Sequence, residues 1–267
     1  MNSQEYAKLD SIEKQHWFYH GKRDIIRFWL NKYCRLQHDD LYIDAGCGTG
    51  IMLLEMSEFC RVQGLDNYDD SLALALPRVV PVGGKVTKTG LNKVALPDRC
   101  ATVLTLLDVL EHLDDDAGAL DEMIRLVRPG GLLLITVPAL RWLWSDWDIA
   151  LHHRRRYHLP QFRTLVNRPG VEVLRCCYIN AFALLPIFAA RLWRRIFPPP
   201  PGVARAEDRV PPDPINRLLY LLFVRPARWS WFRPPFGVSL LAVLRREDAD
   251  EHTRQNYCAT VQQDCRV

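Results

Sequence analysis

Short apolar runs that stop at a carboxylate recur along the first half of the chain. Residues 41–43 stop at Asp44 and the near-continuous apolar run 101–107 at Asp108, while the mixed segment Arg61-Val62-Gln63-Gly64-Leu65 ends at Asp66. Runs this apolar and β-branched, and too short for a helix, read as strands buried on both faces. Residues 132–137 form another, and a weaker strand is expected within 79–89. Between them the apolar positions take helical spacing. One helix follows residue 50, and a second spans 69–76, where Pro77 is expected to stop it. A third runs to about Val127, with Asp114, Asp115 and Asp116 at its start and Pro129-Gly130-Gly131 at its end. Four strand–helix units in a row predict a doubly wound α/β fold with ligands at the carboxyl ends of the strands. Residues 4–36 read as amphipathic helix, covering a sheet edge or lying as a lid over a ligand. Runs at 171–175 and 236–244 predict two further strands.

The candidate chemistry starts at the first of these strands. Asp44 opens Asp44-Ala45-Gly46-Cys47-Gly48-Thr49-Gly50, a strand–loop–helix junction whose glycines let a ligand approach the backbone. Asp66 follows Asp44 by 22 positions, at the tip of the second strand, where a carboxylate can accept both hydroxyls of a ribose. A nicotinamide-binding loop would space its glycines GxGxxG, whereas Gly46, Gly48 and Gly50 are spaced by two throughout.

The 41–50 segment resembles motif I of class I S-adenosylmethionine-dependent methyltransferases, and Leu65-Asp66 resembles the ribose-binding acid that follows it. Asp108-Val109-Leu110-Glu111-His112-Leu113 resembles the family's motif after strand four, and Arg128-Pro129-Gly130-Gly131-Leu132 its turn into strand five. The resemblance implies a seven-stranded Rossmann-like sheet with the last strand antiparallel, and S-adenosylmethionine as cofactor. It also implies a donor site of Asp44, Gly46, Cys47, Gly48, Asp66, Asn67 and Asp108. Two departures stand out: Gly90 or Asn92 falls where the family places an acid near adenine, and Ala101-Thr102 replaces a common Phe-Asp pair.

In the family the last two strands are joined by a short connection. Here about 60 residues intervene, so a helical insertion at 181–235 is expected within a methyltransferase domain spanning 1–246. The insertion reads as an apolar-basic helix from Phe182 to Phe197, a Pro-rich linker from Pro198 to Pro214, and a helix from Ile215 to about Trp229. Residues 247–267 read as a polar tail.

Charge sharpens this picture. Residues 1–140 carry −5, residues 141–246 carry +12 with no lysine, and the tail carries −3. Arginines among Trp, Phe and Leu on amphipathic helices suit an anionic membrane surface better than nucleic acid, since no RNA-binding module accompanies them; a helical cap packed over the site is the alternative. The eight cysteines form no CxxC pair, so neither a metal site nor a disulfide framework is expected. A reducing, cytoplasmic setting fits, at the membrane face if the insertion docks there. The opening residues are polar, with no apolar signal core.

For methyl transfer to a hydroxyl a general base is useful, and His112 and His153 are the candidates. His153 lies in His152-His153-Arg154-Arg155-Arg156-Tyr157, where three arginines could grip a phosphate or carboxylate. The reading is therefore a methyltransferase acting on a small or lipid-linked, anionic acceptor, with oxygen favoured. An RNA methyltransferase and a non-catalytic, membrane-associated binding protein are the alternatives.

Overall fold

The computed structural model describes residues 3–197 and 209–248. Seven strands form one sheet: β1 (Leu41–Ala45), β2 (Arg61–Asp66), β3 (Lys85–Lys88), β4 (Ala101–Leu107), β5 (Val127–Pro138), β6 (Val171–Ile179) and β7 (Ser239–Arg246). Their order is β3-β2-β1-β4-β5-β7-β6. The first five strands pair in parallel, and β7 is antiparallel to both β5 and β6. This is the expected doubly wound sheet with an antiparallel last strand.

The apolar runs are continuous because neighbouring residues feed opposite layers. Ile43, Leu104 and Leu133 face one core with Leu120 and Met123 of α5 (Asp116–Leu126) and Phe162 of α7 (Leu159–Val166). Tyr42, Val103 and Leu134 face the other, with Ile25, Ile26 and Trp29 of α2 (Trp17–Tyr33) and Leu53 of α3 (Ile51–Met56).

Several boundaries differ from the sequence expectation. The helical stretch 4–36 breaks into α1 (Ser3–Ile12) and α2, because buried groups take over at the joint. Glu13 accepts hydrogen bonds from the Thr49 hydroxyl and from Arg78, while His16 caps α2 by accepting from the Phe18 N–H at 3.2 Å. Pro77 does not stop its helix: α4 runs Asp69–Val79. Proline costs the single bond to the Ala73 carbonyl, on the exposed side, while Ala75 and Val79 stay buried beneath Gly50. The Arg128–Gly131 turn belongs to β5 as a bulge, since pairing jumps from Ala101–Val127 to Val103–Leu132.

The connection between β6 and β7, where the helical insertion is expected, contains α8 (Leu184–Ile196) and α9 (Asp213–Arg228). α9 packs on α2. Phe223, Val224 and Ala227 are buried, Phe18 and Phe223 stack at 5.7 Å, and the Trp29 indole N–H donates to the Ala227 carbonyl at 3.1 Å. Gly21 makes the approach possible, since a Cβ there would stand 2.9 Å from the Phe223 ring. Linker residues 198–208, the tail from 249, and the side chains of Arg194 and Arg195 lie outside the described residues. No described helix is long and apolar enough to cross a membrane.

Candidate active site

The carboxyl ends of β1, β2 and β4 open onto one cavity of about 1400 Å³. Asp44, Gly46, Cys47, Gly48, Asp66, Asn67 and Asp108 all line it, so the structure brings every expected donor residue together. The turn after β1 is fixed by Gly46 and Cys47, whose N–H groups donate to the Leu65 carbonyl at 2.7 and 3.1 Å. Gly46 has φ +78°, and a Cβ there would overlap the Val109 side chain. Gly48, at φ +54°, has open space where its Cβ would be. Its N–H donates to one Asp66 oxygen at 3.0 Å, and the Tyr68 N–H donates to the other at 3.0 Å. Gly90, Leu91 and Asn92 line the same cavity, with the Asn92 amide turned to the Asp115 carbonyl at 3.0 Å.

Asp44 is buried at the strand tip, and its carboxylate accepts from the Thr105 hydroxyl at 2.6 Å. Burial pushes its pKa up to about 7; the Thr105 bond opposes that and nearby Asp66 reinforces it. Tyr6 and Leu9 of α1 also line the cavity. Burial, reinforced by the Asp66 charge, raises the Tyr6 hydroxyl pKa.

Asp108 shows the opposite electrostatics. Burial alone would raise its pKa, but the Lys22 ammonium, ion-paired with it, and the Thr136 hydroxyl at 2.9 Å hold it below the usual carboxylate range. Its φ of +56° ends β4 abruptly and starts the short turn Leu110–His112. That turn carries Glu111 into the wall, fully buried, and among the described residues neither carboxylate oxygen has a hydrogen-bond partner. Burial, and next the Asp108 charge, keep the Glu111 pKa well above the usual range.

His112 and His153 meet at the same wall, their rings 4.8 Å apart and nearly perpendicular. Burial, then the neighbouring His153, lowers the His112 pKa to about 4. His153 comes from the loop after α6 (Asp146–Ala150). Its Nδ1 meets Asp148 at 2.9 Å, which leaves Nε2 directed at Glu111, 3.8 Å away. Asp148 is fully buried and gripped by Arg156 through bonds of 2.6 and 3.1 Å. Burial works against its charge, yet His153 and Arg156 prevail and hold its pKa at about 2.

The three arginines expected to grip an anion are engaged within the protein. Arg154 ion-pairs with Asp114, Arg155 with Asp116 at 3.0 Å, and Arg156 with Asp148. They fix the loop that delivers His153. Glu111, Asp148 and Lys22 were not singled out in the sequence; the Asp-x-x-Glu-His spacing was the only signal for Glu111, and Lys22 and Asp148 gave none.

A parallel sheet reversed at its last strand, with a glycine loop and an acid at adjacent strand tips, defines the class I S-adenosylmethionine-dependent methyltransferases. A family model described as a methyltransferase domain matches residues 15–184, and the chain belongs to that family. A Mycolicibacterium smegmatis protein named "Probable S-adenosylmethionine-dependent methyltransferase" is 28% identical over 167 residues, 60% of this chain and 61% of that protein. A "Ubiquinone biosynthesis O-methyltransferase" of Nitrosospira multiformis is 30% identical over 107 residues, 39% of this chain and 44% of its own. The chain thus matches between 44% and 61% of the length of these relatives. Among solved structures, the N-methyltransferase NodS of Bradyrhizobium japonicum, in complex with S-adenosylhomocysteine, superposes with a TM-score of 0.53 at 13% identity. That alignment covers 86% of this chain and 88% of NodS. S-adenosylmethionine is the cofactor of this family.

Proposed function

We propose that the chain transfers the methyl group of S-adenosylmethionine to an oxygen of a small or lipid-linked acceptor. The observation that carries this reading is one cavity with the donor loop on one wall and the Glu111, His112 and His153 cluster on another. Asp44, Gly46, Cys47 and Gly48 lie along the methionine part of the donor, Asp66 and Asn67 take the ribose, and Asp108 faces the reacting centre. Transfer is an in-line displacement, so the walls must hold acceptor oxygen and methyl carbon in line and exclude water. Trp17, Phe18, Trp142 and Trp144 supply apolar wall for that. His153, aligned by Asp148, and His112, uncharged at neutral pH, take part in removing the acceptor's proton. Likeness to a ubiquinone-biosynthesis O-methyltransferase supports oxygen as the acceptor atom.

The lipid-linked reading is favoured by α8. One side of it, Pro186, Ile187, Ala190 and Arg191, lines the cavity, while Leu185, Leu192 and Ile196 lie exposed on the outside. A helix with an apolar outer face and Arg191 on the cavity side suits an acceptor held in an anionic membrane surface. The RNA alternative draws less support, because the arginines of the 154–156 run are paired internally.

Labelled-methyl transfer into a cell extract, followed by separation of lipid, small-molecule and RNA fractions, tests the reading. Label in the lipid or small-molecule fraction, as a base-stable ether, is expected. Label in RNA, or donor binding without any transfer, would overturn it. Sedimentation with anionic vesicles tests the surface: association that falls with salt is expected, and equal recovery in the supernatant with and without vesicles would refute docking.

A further inference from the structure

We propose that Glu111, His112 and His153 bind a divalent first-row transition cation of the zinc type, and that the acceptor oxygen meets this cation in the cavity wall. The inference rests on the proposed methyl-transfer reading and states how the acceptor is held and activated there.

Each of the three side chains offers a ligand atom, and these atoms lie within 4.8 Å of one another. Two ligands bonded at ~2.1 Å in tetrahedral geometry stand ~3.4 Å apart, so closure by at most about 1.4 Å completes the site. Two imidazoles with one carboxylate form the donor set of catalytic zinc and related cations, and hard cations that prefer all-oxygen shells do not match it. Glu111 gives the independent observation. Its carboxylate is fully buried, directed at the histidines, and neither oxygen has a hydrogen-bond donor among the described residues. A buried carboxylate left so is costly, and a cation supplies what it lacks.

Second, the surrounding groups are arranged as they are around metal ligands. Asp148 fixes one nitrogen of His153 and so directs the other inward, and Arg156 in turn fixes Asp148. Third, three protein ligands leave at least one position open, and all three residues line the donor cavity. An acceptor hydroxyl at that position is acidified and loses its proton to solvent. Its oxygen attacks the donor methyl carbon, and the carbon–sulfur bond breaks with its electron pair passing to sulfur. The products are the methyl ether, S-adenosylhomocysteine and one proton. His112 and His153 then act as ligands rather than as free bases, and acceptors with a second oxygen beside the hydroxyl gain a further point of attachment.

The test is calorimetric titration of the chelator-treated full chain with Zn²⁺, paired with the visible spectrum of the Co²⁺ form. Wild type should bind one more Zn²⁺ than Glu111→Gln or the His112→Ala/His153→Ala pair, and show a ligand-field band that both lose. The eight cysteines and remaining histidines give a background shared by all three proteins. Asp148→Asn should keep the site with affinity about tenfold weaker. S-adenosylhomocysteine binding within about twofold of wild type certifies each variant as folded. Equal stoichiometry in wild type and variants, or a wild-type Co²⁺ form without a ligand-field band, overturns the proposal. Failure of wild type to bind S-adenosylhomocysteine would instead remove the methyltransferase reading, whatever the metal result.

Discussion

Donor affinity should rise with pH through neutrality, and Asp44 is the reason. Its carboxyl is buried at the tip of β1, where burial lifts its pKa to about 7. Below that pH it holds a proton; above it, it is a carboxylate. In the proposed pose the donor brings its ammonium to this group, so binding selects the ionised form and displaces the proton at low pH. Affinity then falls tenfold for each pH unit below the pKa of the free protein. Between pH 7.5 and pH 5.5 the expected loss is ~25-fold, about 2 kcal/mol. Above that window the donor's own α-amino group titrates. Calorimetry with S-adenosylhomocysteine in buffers of different ionisation enthalpy reads both quantities. Close to one proton should be released at pH 5.5 and a small fraction at pH 7.5. Asp44→Asn should bind weakly at every pH, with a flat profile. The free protein has the complementary slope. Between the usual Asp value and about 7 the native state holds more protons than the unfolded one, so stability without donor falls as pH rises across that window. Affinity constant within twofold, with no proton release from folded wild type, would refute the reasoning.

Asp66→Ala should weaken S-adenosylhomocysteine binding roughly ten- to hundredfold, a charged hydrogen bond of about 1.5–3 kcal/mol, measured calorimetrically on protein whose circular dichroism is unchanged. Gly46→Ala, strained by φ +78° and by overlap with Val109, should lower Tm and donor affinity together. Gly48→Ala should cost only about 1–2 kcal/mol in stability while cutting donor affinity more sharply, because its Cβ would enter the cavity. Tyr220→Phe removes the hydroxyl that α9 gives to Asp24 of α2. Burial works against the Asp24 charge, but Tyr220 and Arg27 outweigh it and depress its pKa. That stabilisation is present above the usual carboxylate pKa and lost as pH falls through the depressed one. The variant should therefore melt lower at pH 7 and lose less stability than wild type between pH 5 and pH 3, read by thermal melts.

The sheet and the position of the glycine loop were legible because local pattern and global fold agree there. The 101–107 run is buried on both faces as its composition demands, and Asp44, Asp66 and Asp108 end their strands where the runs end. Pro77 misled because the cost of a proline depends on whether the freed carbonyl faces solvent, which the sequence does not state. The 154–156 run misled for a related reason: three arginines look like a clamp until Asp114, Asp116 and Asp148 are placed beside them. The Glu111, His112 and His153 cluster was hidden by distance along the chain. Metal-site patterns are read from close pairs, and here a loop after β5 brings the third group to the turn after β4.

The connection between β6 and β7 starts and ends at the edge of the cavity. β6 ends at Ile179 and β7 begins at Ser239; these two residues pair, and Ser239 also pairs with Pro138 at the carboxyl end of β5. Chain inserted between them therefore leaves and re-enters at the edge that carries Asp108 and the donor loop. Its two helices divide the work according to what each buries. α9 places Phe223, Val224 and Ala227 against α2, and α2 carries Lys22, the partner of Asp108. Docking of α9 is thereby coupled to the Lys22–Asp108 ion pair in the cavity wall. α8 buries little beyond its first turn and contributes cavity wall on one side and exposed Leu185, Trp193 and Ile196 on the other. Under the proposed function, α9 holds the site together and α8 meets the acceptor. Substitutions that polarise the outer face of α8 should then reduce transfer to an amphiphilic acceptor while leaving donor binding and the melting of the domain in place.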